Sequence, residues 1–165
     1  MSAIRVVWGT GRGPTATSAY DAALAGAAIH NYNLVTLSSV IPAEVPLEVV
    51  GTAPDLGPAG NSLTVVQGRG AVGLDEEGPA VAGLGWAREE SGRGIFYEAG
   101  GTDPVAVRTT VLEGLDRGAD LREWSFVDRD VVVREAPDET DAHAAAVVCA
   151  VYGESTPLVR KSAGF

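Results

Sequence analysis

Two adjacent serines, Ser38 and Ser39, follow a short apolar segment and could let this chain cleave itself. Residues 34–37 read Leu-Val-Thr-Leu, the apolar and partly β-branched composition of a buried strand. Pro42 lacks a backbone N–H and favours an extended residue before it, so regular structure should stop there. A serine hydroxyl held in a strained turn can attack the carbonyl of the preceding residue. One serine of the pair could therefore act as a nucleophile on the carbonyl of the residue before it.

The same two serines have two other interpretations. They could end a strand with their hydroxyls facing water, which composition alone favours. They could also include the nucleophile of a serine hydrolase, but the chain offers only His30 and His143 as bases and lacks the G-x-S-x-G pattern. The residues around the serines must therefore decide between these interpretations.

A carboxyl group that could act as an acid or a base is Glu98, which follows Ile-Phe-Tyr at residues 95–97 and lies just before two glycines. Apolar surroundings raise the pKa of a carboxyl group, so that it can hold a proton near neutral pH. An ordinary glutamate at a strand end, facing water, is the simpler interpretation. Both interpretations stay open from the residues alone; an acid here would supply a proton to a substrate, since self-cleavage needs a nucleophile and an oxyanion site instead.

The only charged residue between Ser18 and Ile29 is Asp21, in a predicted helix rich in alanine. Helical spacing places Asp21 beside Leu24, at i+3. Its carboxylate could stabilise the helix N-terminus through the helix dipole, or it could recognise a substrate in a pocket. Both interpretations stay open from the residues alone.

The segment from Asn33 through the serine pair to Pro42 resembles the self-cleavage segment of the pyruvoyl-dependent arginine decarboxylases. The similarity covers most of the chain and extends to these further positions: Thr15, Ala19, residues 21–24, residues 94–98 and residues 144–152. Residues 33–42 are its specific part.

The predicted elements form two β-α-β-β-like halves of an α+β protein, one before and one after about residue 90. The resemblance implies that these halves form a four-layer α/β/β/α sandwich in a single domain, residues 1–165. It also implies self-cleavage into residues 1–38, the β chain, and residues 39–165, the α chain.

The resemblance implies a covalent pyruvoyl group, made from Ser39 after its hydroxyl attacks the Ser38 carbonyl. An amino acid loses CO₂ readily only if an electron sink is attached to its amine, and the ketone of a pyruvoyl group supplies one through a Schiff base. The implied substrate is L-arginine, which would yield agmatine and CO₂. Pyridoxal phosphate is not expected, because the only lysine, Lys161, lies in the C-terminal tail. No metal is expected either, since the acidic turn at residues 75–77 lacks EF-hand spacing.

The resemblance also implies roles for further residues. Glu98 would be the catalytic acid–base residue, and Asp21 and Leu24 would contact the substrate. Asn33 could donate a hydrogen bond to the oxyanion that develops during self-cleavage. It could equally cap its own backbone before the strand.

The resemblance implies a homotrimer with active sites between neighbouring subunits. His30 and Tyr32 depart from the family pattern and could narrow the pocket or shift the substrate preference. A second interpretation is a relative that no longer catalyses and serves as a binding or regulatory subunit, which an absence of cleavage would indicate.

The net charge of −10 disfavours nucleic acid and anionic membranes as partners and suits a cationic substrate. Lys161 is the only lysine among twelve basic residues, and with the acid excess this suits a protein that works in high salt. No apolar run could span a bilayer, and the N-terminus lacks a signal-peptide pattern. Cys149 lies in an apolar run and is interpreted as a small core residue. A cytoplasmic location is the default expectation.

Hydrophobic periodicity and turn residues predict, in the first part of the chain, a strand at residues 4–8, a Gly-rich loop at 9–14, a helix from Thr17 or Ser18 to Ile29, and an irregular loop after Pro42. They then predict antiparallel partner strands at 63–67 and 80–86 and a strand at 95–98. The last predicted elements are a helix from Asp103 to Gly118, strand character between 124 and 133, and a strand at 144–152. The Gly-rich loop lacks the P-loop ending, so no nucleotide is expected there. The tail after Gly153 is expected to fray.

Overall fold

The computed structural model describes residues 2–137 and 141–160. Within these residues the chain is a mixed α+β protein with two helices and nine strands. Their bounds are β1 Ile4–Gly13, α1 Ala16–Gly26, β2 Asn33–Thr36, β3 Val40–Ile41, β4 Leu47–Gly51, β5 Ser62–Val72, β6 Ala80–Arg88, β7 Gly94–Gly101, α2 Pro104–Arg122, β8 Asp128–Ala136 and β9 His143–Tyr152.

The strands form two sheets. The first has five strands in the order β2-β5-β9-β1-β4, and the second has four in the order β3-β7-β6-β8. In the first sheet β2 is parallel to β5 and β4 is parallel to β1, while β9 is antiparallel to both β5 and β1. The second sheet is antiparallel throughout. Consequently β2 and β3, which are consecutive in the chain, are edge strands of different sheets.

Each helix packs on its own sheet, α1 on the five-stranded sheet and α2 on the four-stranded sheet, and the two sheets contact each other. The core between the sheets contains large side chains from both, including Val66, Leu84, Trp86 and Phe96. Removing such apolar surface from water contributes most of the stability of a domain of this size. The segment with Ser38 and Ser39 runs between these two packed sheets.

The Gly-rich segment predicted as a loop is instead the second half of β1, which continues to Gly13. Its glycines let α1 lie directly against the strand, because a Cβ at Gly9 would lie 2.0 Å from the Ala23 carbonyl oxygen. The helix starts earlier than predicted, since the Thr15 side chain accepts a hydrogen bond from the Ser18 N–H and forms a capping box. The glycines thus serve helix packing, which sequence periodicity alone does not reveal.

Two predictions about pairing are wrong. The strands predicted at residues 63–67 and 80–86 are not partners, because β5 belongs to the first sheet and β6 to the second. The division into halves near residue 90 also fails, since β3 and β6 lie in the second sheet while β9 returns to the first. The region after Pro42, predicted as irregular, contains β4. Sheet membership depends on contacts distant in sequence, so local patterns could not fix it.

The second helix confirms its predicted start and corrects its predicted end. The Asp103 side chain accepts from the Val105 N–H, with Pro104 at the first helical position. The helix passes through Gly118, where a Cβ would lie 2.3 Å from the Ile95 side chain, and stops at Glu123 in left-handed geometry. Gly118 is a packing contact rather than a helix stop.

The end of the chain is partly ordered. The last predicted strand is confirmed as β9, and Cys149 within it is fully buried, as expected for a core residue. Thr156 exchanges backbone hydrogen bonds with Ser62, so the described tail is paired beyond Gly153, where fraying was expected. Lys161 lies outside the described residues.

Candidate active site

The bond between Ser38 and Ser39 lies where the chain crosses from one sheet to the other. Its upstream side is held to the first sheet, because the Leu37 N–H donates to the Val65 carbonyl at 2.8 Å. Its downstream side is held to the second sheet, because the Phe96 N–H donates to the Ser39 carbonyl at 2.8 Å. The bond therefore lies between two hydrogen-bonded anchors, one on each sheet, rather than on a free loop.

The backbone of Ser39 adopts a left-handed conformation with φ of 75°. This region is unfavourable for a residue with a Cβ by about 1–2 kcal/mol. The two flanking hydrogen bonds, together with the pairing of Val40 with Ile95, hold the residue in it. The strained turn expected around the serines thus has a specific location, at the residue predicted to be the nucleophile.

The side chains of Ser39 and Glu98 are in contact. The Ser39 hydroxyl donates to Glu98 Oε2 at 3.2 Å. Burial raises the pKa of Glu98, while the hydrogen bond from Ser39 acts in the opposite direction. Glu98 lies on β7 and is paired across the ladder with Leu84 of β6. The pair has the arrangement of a hydroxyl nucleophile beside a carboxylate that can accept its proton.

A cleft of about 300 Å³ opens beside this pair, between the serines, β7 and α2. Gly114 allows α2 to approach here, since a Cβ at that position would lie 2.3 Å from the Tyr97 ring. A larger hollow of about 1000 Å³ lies between residues 58–61 and 157–160, but no carboxylate and neither serine lines it. We therefore take the smaller cleft as the candidate active site.

Comparison with known proteins decides the family. A family model described as pyruvoyl-dependent arginine decarboxylase matches residues 3–157. The chain belongs to this family. A relative from Halobacterium salinarum with that name is 49% identical over 159 residues, which cover 96% of this chain and 98% of the relative. A relative of the same name from Pyrococcus abyssi is 36% identical, and the match covers 85% of this chain and 89% of the relative. Another from Methanopyrus kandleri is 34% identical, and the match covers 89% of this chain and 93% of the relative.

The resemblance inferred from the serine segment is thereby confirmed, and family membership implies a covalent pyruvoyl group. The surroundings of residue 39 fit such a group. Its carbonyl oxygen already accepts a hydrogen bond from Phe96, and Glu98 reaches its side chain. Across residues 2–137 and 141–160, no group of three His, Cys, Asp or Glu side chains is placed to hold a metal ion. In the same part of the chain, no helix is both long and apolar enough to cross a bilayer.

Asn33 is not brought to the serines within one chain. It is the first residue of β2, and its side-chain amide donates to the Gly60 carbonyl at 2.9 Å. Ser38 lies five positions further along the chain, beyond the far end of β2. Its amide is therefore occupied at the opposite end of the strand from the cleavage bond.

Asp21 and Leu24 also lie apart from the cleft. Both are on α1, and neither lines the cleft at Ser39. The Asp21 side chain is exposed, whereas Leu24 is only 8% exposed and packs into the core beneath α1. A single chain thus presents Ser39 with Glu98 in one place and Asp21 in another.

One contact of the segment from Asn33 to Pro42 was not predicted from the sequence. The Tyr152 hydroxyl donates to the Val40 carbonyl at 2.7 Å, although the two residues are 112 positions apart. Tyr152 ends an alanine- and valine-rich strand, where a tyrosine usually indicates the edge of a core. Only the fold brings it to the cleavage segment.

Proposed function

We propose that this chain cleaves itself at Ser38–Ser39 and decarboxylates L-arginine to agmatine and CO₂ with a pyruvoyl group made from Ser39. The observation that carries the proposal is the hydrogen bond from the strained Ser39 to Glu98, in a chain that belongs to the pyruvoyl-dependent arginine decarboxylases. The near-complete coverage of the Halobacterium salinarum relative supports the whole activity rather than a fragment of it.

Self-cleavage begins when the Ser39 Oγ attacks the Ser38 carbonyl carbon and Glu98 takes the hydroxyl proton. The C–N bond between residues 38 and 39 then breaks, the nitrogen gains a proton, and an ester joins the two residues. Loss of the Ser39 Cα proton then breaks the Cβ–Oγ bond, which releases residues 1–38 with a carboxylate end and leaves dehydroalanine at position 39. Water then replaces its amine, ammonia departs, and the pyruvoyl group remains.

In the decarboxylation reaction, a pyruvoyl group made from Ser39 would supply the electron sink that an amino acid needs to lose CO₂. The chain's own residues supply the rest. The Phe96 N–H donates to the carbonyl oxygen of residue 39 and would stabilise negative charge on it. Glu98, which burial keeps protonated to higher pH than an ordinary glutamate, would deliver a proton to the substrate Cα.

The cationic end of the substrate requires a carboxylate partner. Glu98 is the one carboxylate among the residues that line the cleft at Ser39 in the described structure, and it already has a role as the acid. We assign this role to Asp21, with Leu24 packing beside it, and place Asn33 as an oxyanion donor in the assembled enzyme. Since neither Asp21 nor Asn33 lies at the cleft within one chain, we propose a trimer in which a neighbouring subunit completes each site. The net charge of −10 would favour entry of a cation.

The finer architecture and location belong to the same proposal. We infer a four-layer sandwich in which α1, the five-stranded sheet, the four-stranded sheet and α2 are stacked in that order, because each helix packs on its own sheet. We also infer a cytoplasmic enzyme, since Cys149 is free and buried and reducing compartments preserve free thiols.

The direct test of the activity is release of labelled CO₂ from carboxyl-labelled L-arginine by the purified protein, with agmatine identified in the same reaction. L-Ornithine and L-lysine serve as competing substrates, because each is a shorter or less branched cation. Arginine turnover that depends on Ser39 supports the proposal. A chain that neither cleaves nor releases CO₂ would instead be a non-catalytic binding or regulatory subunit.

A further inference from the structure

The contact between Tyr152 and Val40 spans the two sheets beside the cleavage bond. Tyr152 is the last residue of β9 in the five-stranded sheet, and Val40 opens β3 at the edge of the four-stranded sheet. The hydroxyl–carbonyl distance is 2.7 Å, so the hydrogen bond has good length for an O–H donor. Burial raises the pKa of Tyr152, which keeps the hydroxyl protonated as a donor across the range in which the enzyme could work.

A second contact couples Tyr152 to the carbonyl of residue 39. The Tyr152 and Phe96 rings meet edge to face, with centroids 6.1 Å apart and planes at 62°. Phe96 is 2% exposed, and its N–H donates to the Ser39 carbonyl. The Ser39 carbonyl therefore accepts from the Phe96 backbone, and the next carbonyl, that of Val40, accepts from the Tyr152 hydroxyl. The rings of these two aromatic residues are in contact.

Ile41 anchors this segment in the core and β3 pairs with β7, but Val40 and residue 39 lie nearest the end that cleavage would create. Strand β3 has two residues and lies at the sheet edge, and the Val40 side chain is 47% exposed. After cleavage, residue 39 becomes a chain end, and chain ends fray unless they are tied down. A reactive group at that end must nevertheless stay in register with Glu98, since misplacement by about 1 Å can cost roughly 100-fold in rate.

We propose that Tyr152 is a positioning residue for the reactions at residue 39, because its hydroxyl fixes the Val40 carbonyl and so the backbone of residue 39, before and after cleavage. The inference rests on the proposed function, since it requires that residue 39 reacts. Tyr152 touches backbone rather than substrate, so its loss should slow both reactions and leave arginine affinity unchanged.

The test uses Tyr152→Phe, which keeps the ring and its contact with Phe96 and removes only the hydroxyl. The rate of self-cleavage, followed by mass spectrometry of freshly translated chain, should fall by about tenfold, the loss of one well-placed hydrogen bond. In cleaved enzyme, kcat should fall with KM for arginine unchanged. The matched control is Tyr20→Phe, which removes a partly buried tyrosine hydroxyl bonded to Gln67 on the far side of the first sheet and should leave the cleavage rate unaltered.

A readout independent of activity separates positioning from general stability. In the uncleavable Ser39→Ala chain, Tyr152→Phe should speed hydrogen exchange at the amides of residues 39–41 and leave β5 and the rest of β9 as protected as before. Faster exchange throughout β5 and β9 would show a structural role and overturn the proposal. Unchanged exchange at residues 39–41 with unchanged cleavage would overturn it too.

Comparing the parent chain with Tyr152→Phe distinguishes a wrong role for Tyr152 from a wrong proposed function. If the parent chain itself stays uncleaved, the proposed function fails, whatever Tyr152→Phe does. If the parent cleaves and Tyr152→Phe cleaves at the same rate, only the role of Tyr152 is lost.

Discussion

Ser39 and Glu98 lie 59 residues apart in the chain and share a hydrogen bond of 3.2 Å donated by the Ser39 hydroxyl. The family resemblance predicted a role for Glu98 only in decarboxylation, whereas this contact leads us to propose one in self-cleavage as well. The carboxylate can accept the Ser39 proton as the hydroxyl attacks, and the acid form can later give a proton to the substrate. Glu98 would thus act both in the self-cleavage that forms the pyruvoyl group and in the decarboxylation that uses it.

Glu98→Gln should impair both reactions, because the amide can neither accept the Ser39 proton nor donate one to the substrate carbon. We expect decarboxylation to slow by roughly 10²–10⁴, the usual contribution of a general acid. Self-cleavage should slow as well, which a time course of fragment formation measures. Full turnover in the cleaved variant would remove Glu98 from the mechanism, and unchanged cleavage would restrict it to decarboxylation.

The two roles of Glu98 predict opposite pH dependences. Burial raises the pKa of Glu98, so its acid form persists to higher pH than that of an ordinary glutamate. Decarboxylation, which needs the acid form, should decline as pH rises through that raised pKa. Self-cleavage, which needs the carboxylate, should accelerate over the same interval. Measuring kcat/KM on cleaved enzyme and the cleavage rate on fresh chain tests both, and profiles that run in the same direction would contradict one role.

Asp21→Asn should weaken arginine binding without harming the fold, since the side chain is exposed on α1. Loss of a directional guanidinium–carboxylate pair in a pocket should cost about 2–4 kcal/mol, seen as a higher KM. Asp75→Asn makes the same change at an exposed turn and serves as the control for altered surface charge. Equal KM values for the parent and Asp21→Asn would refute the assignment.

The same variant tests whether the site is shared between subunits. Chains carrying Asp21→Asn and chains carrying Ser39→Ala are each expected to be inactive at low arginine concentration. If a neighbour supplies Asp21, co-expression should restore part of the activity in mixed trimers, because some sites combine an intact Ser39 with an intact Asp21. Activity that never exceeds the sum of the two separate variants would place both residues in one subunit's site.

The strain at Ser39 can be measured in chains that cannot cleave. Ser39→Gly and Ser39→Ala both lack the hydroxyl, but only glycine adopts the observed φ of 75° without a clash at Cβ. After allowance for the greater entropy of glycine in the unfolded chain, Ser39→Gly should be the more stable by about 0.5–1 kcal/mol. Chemical denaturation of the two proteins gives the difference. A Ser39→Ala chain of equal or greater stability would show that the left-handed turn stores no strain.

Local signals predicted several parts of the structure well. The start of α2 follows from Asp103 with Pro104, because an N-cap side chain and a proline at the first turn act within a few residues. The last strand follows from the valines at the end of an alanine-rich run, which indicate pairing rather than a helix. The serine segment also predicted the family, since its residue types and spacing are specific over ten positions.

The features that could not be predicted from the sequence depend on contacts between residues that are distant in the chain. The assignment of β5 and β6 to different sheets, and the use of Gly9 to admit α1, follow from how the sheets stack rather than from any local period. In the site, the order of residues suggested that Asn33 lies beside the serines, but strand β2 carries it to Gly60. No pattern links Tyr152 to Val40, whose contact exists only after the two sheets have packed.

The central claim is that Ser39 becomes a pyruvoyl group, and the intact mass of the purified protein tests it most directly. Two species are expected, residues 1–38 with a free carboxylate and residues 39–165 lighter than a serine-ended fragment by the elements of ammonia. The larger fragment should also resist Edman sequencing. Ser39→Ala should give one full-length mass under the same conditions. A full-length mass for the parent, or a fragment 39–165 that still begins with an unmodified serine, would contradict the account.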